Sequence, residues 1–421
     1  MIERNMKHLC IITEYSRANN YGIGTYIRQL PLALLNNNFK ISIIHLFDKT
    51  HDSFLKTSID GIQHLFAPVP VLKSSLNSKE WKSCYYRNIY YLLLPYIDNG
   101  IDDKIFHFNF FGANELANRL KTYFPSSKIV LTVHYMDWSF TLLGNIYKLR
   151  KALKHPENAV YKEIVNSVNE EKQFMNDYCD YIIAIAQHSY KTLVKEYHIS
   201  AKKITLIKHG LSDRHISHSD QKKVSLRAKY GFQDSNKILI FAGRLDPVKG
   251  VLVLLKVFKE LYAKDKSLRL LVVGEGLFKD CLKASAPLWE GVTFTGFVNQ
   301  HTLLELYTIS DIGIVPSFHE EFGYVALEMM RQNLPLIVGE TTGLDEIVDD
   351  TVGIKVAMNR TRITQSVKNL KSAIEKLLSD PNLRKVLGAN ARKKFLKEYN
   401  ITRFKDEMSS FYNKISTGFQ A

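Results

Sequence analysis

The chain has 421 residues, of which 45% are hydrophobic, 11% aromatic and 24% charged. This ordinary globular composition excludes a disordered chain, a collagen-like repeat and a disulfide scaffold. Because one domain usually holds about 100–200 residues, we expect two or three domains, each with its own core. The net charge is +15. A positive excess spread over both halves favours anionic partners: nucleic acid, acidic lipid or phosphate-bearing small molecules.

The four cysteines are scattered along the chain and form no zinc-ribbon or redox motif. Scattered thiols are typical of a reducing compartment. The first residues, MIERNMKHLCIITEY, offer no small-residue cleavage site, and no run of about 18 apolar residues follows. We therefore expect a cytoplasmic protein that is neither secreted nor membrane-spanning.

The first half of the chain alternates β-prone runs with helical patterns, which indicates βαβ units and a parallel sheet. Strands are predicted at 7–13, 41–47, 104–110, 128–135, 180–186 and 203–210, with helices at 25–38, 112–122 and 188–197. We expect these elements to form an N-terminal Rossmann-like domain over 1–210.

A polar stretch at 211–236 predicts a linker to a second βαβ series. Strands are predicted there at 237–243, 268–274, 292–298, 311–317 and 334–340, with a helix at 251–264. We expect a second doubly wound domain over 237–402, with a ligand at the carboxyl ends of its strands. The basic tail, about 403–421, is either a helix packed back on the first domain or a solvated basic face.

The most informative segment is 311–340, where a buried strand leads through a loop into a helix that begins around Phe322–Gly323. Near that start, the backbone N–H groups of Gly323, Tyr324 and Val325 form an anion site, because a helix N-terminus carries unpaired donors and a positive dipole.

Two carboxylates, Glu320 and Glu328, flank the predicted anion site. Carboxylates accept hydrogen bonds from diols, so one can hold a ribose and the other a second sugar. Paired Glu residues on a helix more often form a solvated face, but the strand, loop and helix context favours a nucleotide-sugar site.

Two cations follow another predicted strand, which ends at Gly243. Arg244 and Lys249 lie in the loop before the next helix, where a guanidinium and an ammonium can neutralise a diphosphate. Ordinary surface basicity is the other interpretation of these two positions.

These motifs resemble the retaining GT-B glycosyltransferases of glycosyltransferase family 4. The matching runs are GRLDPVKG (243–250), GEG (274–276), VTFTGFV (292–298), EEFGYVALE (320–328) and TTGLDEIV (341–348), with thinner matches YGIGTYIRQL (21–30), TVHYMD (132–137) and LIKHGLSD (206–213). The departures are a single G-x-G in the first loop, Lys208-His209-Gly210 in place of P-N-G, and Met329-Met330-Arg331 in place of small residues. The first two could change donor or acceptor preference.

The resemblance implies two Rossmann-like α/β domains facing across a cleft, with an acceptor domain followed by a nucleotide-sugar donor domain. Arg244 and Lys249 would bind the diphosphate, Glu328 the ribose and Glu320 the transferred sugar. His134 would face the donor sugar. Further donor contacts are implied for Gly22 and Gly24 (as a loop over the diphosphate), Gly243, Gly296, Phe297 and Val298 (near the base), Phe322, Gly323, Tyr324 and Val325.

The implied reaction moves a sugar from a nucleotide-diphosphate sugar to an acceptor hydroxyl with retention, in cell-surface polysaccharide or glycoconjugate assembly. Without an Asp-x-Asp motif at a strand end, we expect no metal and no other cofactor. The alternatives are a sugar-nucleotide epimerase on the same fold and a non-catalytic partner subunit. A nucleic-acid binder has only the net charge in its favour, and an NAD site lacks a third glycine and an acidic partner.

Two stretches could contact an anionic membrane and a lipid-linked saccharide acceptor. The stretch 81–97 is aromatic and basic, which is typical of an interfacial helix or of a core helix with a tyrosine rim. The stretch 147–155 is basic. We therefore expect a cytoplasmic protein with possible peripheral membrane contact and no nucleic acid.

Overall fold

The structure, a computed structural model, describes residues 6–15, 22–34, 38–69, 78–215 and 220–416. The chain divides into two compact units, one of Met1–Gly210 with Ile401–Ala421 and one of Leu211–Asn400. Each unit has its own hydrophobic core around a largely parallel sheet. The predicted α/β class with two Rossmann-like sheets is confirmed.

The first unit is built around a sheet that has eight strands in the described residues, in the order β3-β4-β2-β1-β5-β6-β7-β8. Its strands are β1 (Lys7–Glu14), β2 (Phe39–Asp48), β3 (Leu55–Ile59), β4 (Ile62–Pro68), β5 (Lys104–Phe108), β6 (Lys128–Val133), β7 (Tyr181–Ala184) and β8 (Ile204–Leu206). Its helices are α1 (Gly22–Leu34), α2 (Ser78–Ile97), α3 (Asn114–Tyr123), α4 (Asp137–Leu142), α5 (Ile146–Lys154), α6 (Lys162–Asp177), α7 (Gln187–Lys195) and, at the end of the chain, α16 (Ile401–Ser416).

The central strands of this sheet read as continuous apolar runs because both of their faces are covered. β1 is buried from His8 to Thr13, and β5 is buried throughout. This is the pattern expected of parallel strands with helices on both sides. The strands β3 and β4 pair antiparallel, unlike the other neighbours in this sheet. They are joined by Asp60-Gly61, both in the left-handed region at φ 52° and 78°. Two left-handed residues are what a two-residue hairpin turn requires.

The helix α2 contains the aromatic stretch 81–97 and is a core helix of the first unit. Tyr85, Tyr86 and Tyr90 are buried, whereas Tyr91 is exposed. The Tyr85 hydroxyl accepts a hydrogen bond from the Phe47 N–H and donates one to a backbone carbonyl oxygen. Of the two interpretations of this stretch, the structure favours the core helix with a tyrosine rim.

The helix α16 belongs to the first unit and packs on it. Phe404, Met408 and Tyr412 are buried. The Tyr412 hydroxyl lies 2.6 Å from Nδ1 of His107 on β5. Burial of this apolar face and a buried hydrogen bond attach α16 to the sheet.

The second unit is built around a parallel sheet that has six strands in the described residues, in the order β11-β10-β9-β12-β13-β14. Its strands are β9 (Lys237–Ala242), β10 (Leu268–Val273), β11 (Val292–Gly296), β12 (Ile312–Val315), β13 (Leu336–Gly339) and β14 (Gly353–Val356). Its helices are α8 (Asp220–Lys229), α9 (Val251–Tyr262), α10 (Phe278–Ser285), α11 (Gln300–Ile309), α12 (Tyr324–Arg331), α13 (Thr342–Ile347), α14 (Ile363–Ser379) and α15 (Pro381–Glu398).

The segment 211–236, expected to be a linker, is assigned to the second unit, and its described residues, 211–215 and 220–236, contain α8. Arg227 of α8 is buried and donates to the Ile309 carbonyl oxygen and to both carboxylate oxygens of Asp311 at 2.9 Å. The polar composition of the segment therefore reflects a helix attached by ion pairs and hydrogen bonds rather than a free connection.

Candidate functional site

Two loops meet at the carboxyl edge of the second sheet because β9 and β12 are neighbours in it. The loop after β9 contains the turn Pro247–Lys249, and the Val248 carbonyl oxygen accepts from the Phe318 N–H at 2.7 Å. Gly250 ends this turn at φ 72°, and a Cβ there would lie 2.0 Å from the Pro316 carbonyl oxygen. The close approach of the two loops therefore depends on a glycine at this position.

The predicted contact residues Lys249 and Glu320 are brought together by these loops. The Lys249 ammonium nitrogen lies 2.6 Å from Glu320 Oε1, and the two side chains expose only 17% and 15% of their surface. The Ser317 hydroxyl donates to the same carboxylate oxygen at 3.0 Å. Both bonds fall on Oε1, so the position of the carboxylate is set by two partners.

Arg244 lies on the same loop as Lys249 and is held by an acidic neighbour. Its Nη2 is 3.2 Å from Asp246 Oδ2, and about a third of its side chain is exposed. A partly exposed guanidinium keeps donors available for a bidentate contact with a phosphate.

The helix α12 begins at this edge, as expected from the sequence. Gly323 is its N-cap residue at φ 107°, and a Cβ at this position would lie 2.7 Å from a Leu344 methyl group. Tyr324 and Val325 are the first two residues of the helix. In the first turn of an α-helix the backbone N–H groups have no acceptor within the helix, and they form the positive end of its dipole. Phe322, just before the cap, is buried.

Glu328 lies one turn further along α12 and accepts a hydrogen bond from the Tyr307 hydroxyl at 3.0 Å. Tyr307 is completely buried. Burial raises the pKa of the Tyr307 phenol well above its ordinary value, with the Glu328 charge as a further cause, so the phenol remains a donor. The carboxylate is therefore fixed in orientation from one side.

The glycines at the ends of β9, β10 and β11 bring three strand ends close together. Gly274 donates its N–H to the Gly296 carbonyl oxygen at 2.9 Å, and a Cβ on Gly274 would lie 1.9 Å from the Gly243 carbonyl oxygen. Phe297, next along the chain, exposes 55% of its surface, and Val298 is half-buried.

The family of the chain follows from its sequence relatives. A family model described as glycosyl transferases group 1 matches residues 222–394. An uncharacterised glycosyltransferase of Methanocaldococcus jannaschii is 31% identical over 301 residues, which cover 66% of this chain and 73% of that protein. The chain belongs to the group 1 glycosyl transferases. The capsular polysaccharide biosynthesis glycosyltransferase CapM of Staphylococcus aureus is 25% identical over 237 residues, 55% of this chain and 61% of CapM.

The chain covers only 59%, 50% and 48% of the lengths of three other curated relatives. Among solved structures, HepE of Anabaena in complex with UDP and glucose has a TM-score of 0.71 at 16% identity. That alignment covers 97% of this chain and all of HepE. At this identity the likeness concerns the fold, which is GT-B.

His134 lies in the first unit, directly after β6, and is buried. Its Nε2 is 2.9 Å from Asn109 Oδ1, while the Asn109 amide nitrogen donates to the carbonyl oxygens of Ile12 and His107. This network assigns the ring proton to Nε2 and leaves Nδ1 as an acceptor. Burial lowers the pKa of His134 to about 3, so the ring is neutral at physiological pH.

Gly22 and Gly24 were expected in a loop, and the structure instead places both in the first turn of α1. The helical pattern seemed to start at Thr25 because two glycines are poor helix formers. Residues 16–21, which precede them, lie outside the described residues.

Two residues of the site were not predicted as contact residues from the sequence. Ser317 contacts Glu320, and Asp246 caps the turn that carries Lys249. Asp246 had a recognisable signal, an Asp followed by Pro at the first position of a helical turn.

Within the described parts of the chain, no group of three or more His, Cys, Asp or Glu side chains is arranged to hold a metal ion. Over those same residues, no helix is both long and apolar enough to cross a bilayer.

Proposed function

We propose that this protein is a retaining glycosyltransferase that moves a sugar from a nucleotide-diphosphate sugar to an acceptor hydroxyl. One observation carries the proposal: Lys249 and Glu320 are in contact where the loops after β9 and β12 meet, just before α12 begins. A cation, a helix N-terminus and a carboxylate thus lie in loops at one sheet edge. The cation and the helix N-terminus suit the phosphates of a nucleotide sugar, and the carboxylate suits its hydroxyl groups.

The diphosphate would be bound by Arg244, Lys249 and the first N–H groups of α12. Charge grows on the diphosphate as the glycosidic bond breaks, so fixed positive groups stabilise the transition state more than the ground state. Glu320 would accept hydrogen bonds from the transferred sugar, and Glu328, oriented by Tyr307, would accept them from the ribose.

The proposed chemistry is substitution at the anomeric carbon on the face that the diphosphate leaves. The bond from that carbon to the diphosphate oxygen breaks, and a bond to the acceptor oxygen forms. The acceptor proton passes to the departing phosphate oxygen. The protein supplies orientation and electrostatic stabilisation, and no side chain forms a covalent intermediate.

In the first unit, the proposed role of His134 is to accept a hydrogen bond from a hydroxyl of the donor sugar through Nδ1. A ring that stays neutral keeps this lone pair available across the physiological pH range. Its Asn109 contact fixes the ring orientation.

The test is a donor screen followed by product analysis. A UDP-, GDP- or ADP-sugar present at 100 times its dissociation constant should stabilise the protein by about 2.7 kcal/mol. The sugar that stabilises should then be transferred to an acceptor, with its anomeric configuration unchanged. An inverted product would contradict retention, and an epimerised nucleotide sugar formed without any acceptor would identify an epimerase instead.

We further propose that turnover needs no metal, because Arg244 and Lys249 can neutralise the diphosphate that a divalent cation would otherwise bind. Turnover in excess EDTA should equal turnover in buffer. A loss that Mn²⁺ restores would contradict this part of the proposal.

The acceptor is proposed to be a saccharide held at an anionic membrane surface, in polysaccharide or glycoconjugate assembly. The supporting feature is α5, where Tyr147 exposes 78% of its surface and Lys148, Lys151 and Lys154 are exposed while Leu149 is buried. Such a face attracts acidic lipid head groups. Co-sedimentation with anionic vesicles at low salt, lost when the three lysines become Gln, would support it. Equal sedimentation with neutral vesicles would contradict it.

A further inference from the structure

Asp246 contacts the guanidinium of Arg244 and the backbone N–H of Lys249, the two residues that are proposed to bind the diphosphate. Its Oδ2 lies 3.2 Å from Arg244 Nη2. Its Oδ1 accepts from the backbone N–H groups of Val248 and Lys249, each at 3.0 Å. One carboxylate therefore joins the Arg244 side chain to the backbone that carries Lys249.

The Asp246 cap fixes the backbone position from which the Lys249 side chain extends. Asp246 and the fixed φ of Pro247 hold the turn Pro247–Lys249 at one end. Gly250 seals its other end against the Pro316 carbonyl oxygen. With both ends of the turn fixed, the backbone of Lys249 is placed so that its ammonium lies 2.6 Å from Glu320 Oε1.

The negative charge of Asp246 would repel a diphosphate if the carboxylate had no cationic or N–H partners. Here Oδ1 accepts from two backbone N–H groups, and Oδ2 lies 3.2 Å from the Arg244 guanidinium in an ion pair. The carboxylate thus serves as an anchor for cationic groups rather than as a ligand.

We infer that Asp246 is a positioning residue that orients both Arg244 and Lys249 toward the diphosphate of the donor. This inference rests on the proposed function, and it adds a residue that acts on the reaction only through the two cations.

The test compares three variants of the full chain. Asp246→Ala removes the cap and the ion pair, whereas Asp246→Asn keeps an oxygen for the cap and loses the charge that holds Arg244. Asp380→Ala is the matched control, since Asp380 caps α15 by accepting from the Leu383 N–H at 2.8 Å and is also followed by Pro.

We expect Asp246→Ala to lower kcat by about 10²-fold, the loss that a misplacement of about 1 Å can cause. Asp246→Asn should regain part of that loss, because the turn that carries Lys249 is restored while the ion pair with Arg244 is not. Asp380→Ala should lose a similar amount of thermal stability and keep the wild-type kcat.

A kcat for Asp246→Ala within twofold of wild type would overturn the inference while leaving the transferase intact. So would an equal loss of kcat in Asp380→Ala, because the effect would then be one of stability alone. If Asp246→Ala does not fold, a folded Asp246→Asn with the wild-type kcat would overturn it, because the ion pair with Arg244 would then have no effect on turnover. Failure of the wild-type protein to bind UDP, GDP or ADP would instead remove the proposed function itself.

Discussion

Replacing Lys249 by Met separates the charge of this residue from its packing. Met keeps the buried stem and removes the ammonium that lies 2.6 Å from Glu320 Oε1. If this ammonium stabilises the leaving diphosphate, kcat should fall by about 10²–10³-fold, or about 2.7–4 kcal/mol of transition-state stabilisation. Release of nucleoside diphosphate from the donor, measured at saturating donor and acceptor, is the assay.

The same substitution leaves the Glu320 carboxylate with only the Ser317 hydroxyl of its two contacts. A lost hydrogen bond between charged groups costs about 1.5–3 kcal/mol of folding stability. Because Glu320→Gln removes the uncompensated charge, the double variant Lys249→Met/Glu320→Gln should regain stability but not turnover. That difference distinguishes a catalytic loss from partial unfolding.

Lys371 provides the matched control, since its ammonium lies 2.7 Å from Glu260 Oε2 in an ion pair on two helices of the same unit. Lys371→Met should leave kcat unchanged. The reasoning would be refuted if Lys249→Met kept near wild-type turnover, or if Lys371→Met lost as much.

Three further predictions follow from the described contacts. Glu328→Gln should raise the KM for the donor about 10–100-fold in initial-rate assays, because a charged hydrogen bond to the ribose is lost; an unchanged KM would contradict this role. Gly250→Ala should lower the denaturation midpoint markedly, since its Cβ would overlap the Pro316 carbonyl oxygen and its φ is 72°; an unchanged midpoint would be inconsistent with the close loops. Stability should also fall between pH 6.5 and pH 4. Burial lowers the pKa of His107 and His134 to about 3 from about 6.5 in the unfolded chain, so in this window only the unfolded chain binds these protons. At pH 5 each ring should cost about 2 kcal/mol, and equal thermal midpoints at pH 7 and pH 5 would contradict that burial.

Much of the fold was predictable because buried parallel strands and amphipathic helices have local signatures. The strand at 237–243 and the helix at 251–264 differ from β9 and α9 only at their C-terminal ends. The hairpin β3–β4 was missed although Asp60-Gly61 is a strong turn signal, because β3 is largely exposed and lacks alternation.

The candidate site was predictable as a set of residue types but not as a set of contacts. Arg244, Lys249, Glu320 and Glu328 stand out by motif, yet the Lys249–Glu320 contact depends on β9 lying next to β12. Strand order in a doubly wound sheet does not follow chain order, so this neighbourhood is a property of the folded chain.

The linker expected at 211–236 shows a similar limit. Its polar residues suggested a linker between domains, but Arg227 is buried against Asp311, which is far away in sequence. A buried ion pair of this kind has no local signal, because each partner looks like a surface charge when read alone.

The most direct measurement of the central claim is a crystal structure of the protein with the nucleoside diphosphate that gives the largest thermal shift. We expect the phosphates within hydrogen-bond distance of the Arg244 guanidinium, the Lys249 ammonium and the first N–H groups of α12. A diphosphate bound away from all three groups would contradict the assignment of this edge of the sheet as the donor site.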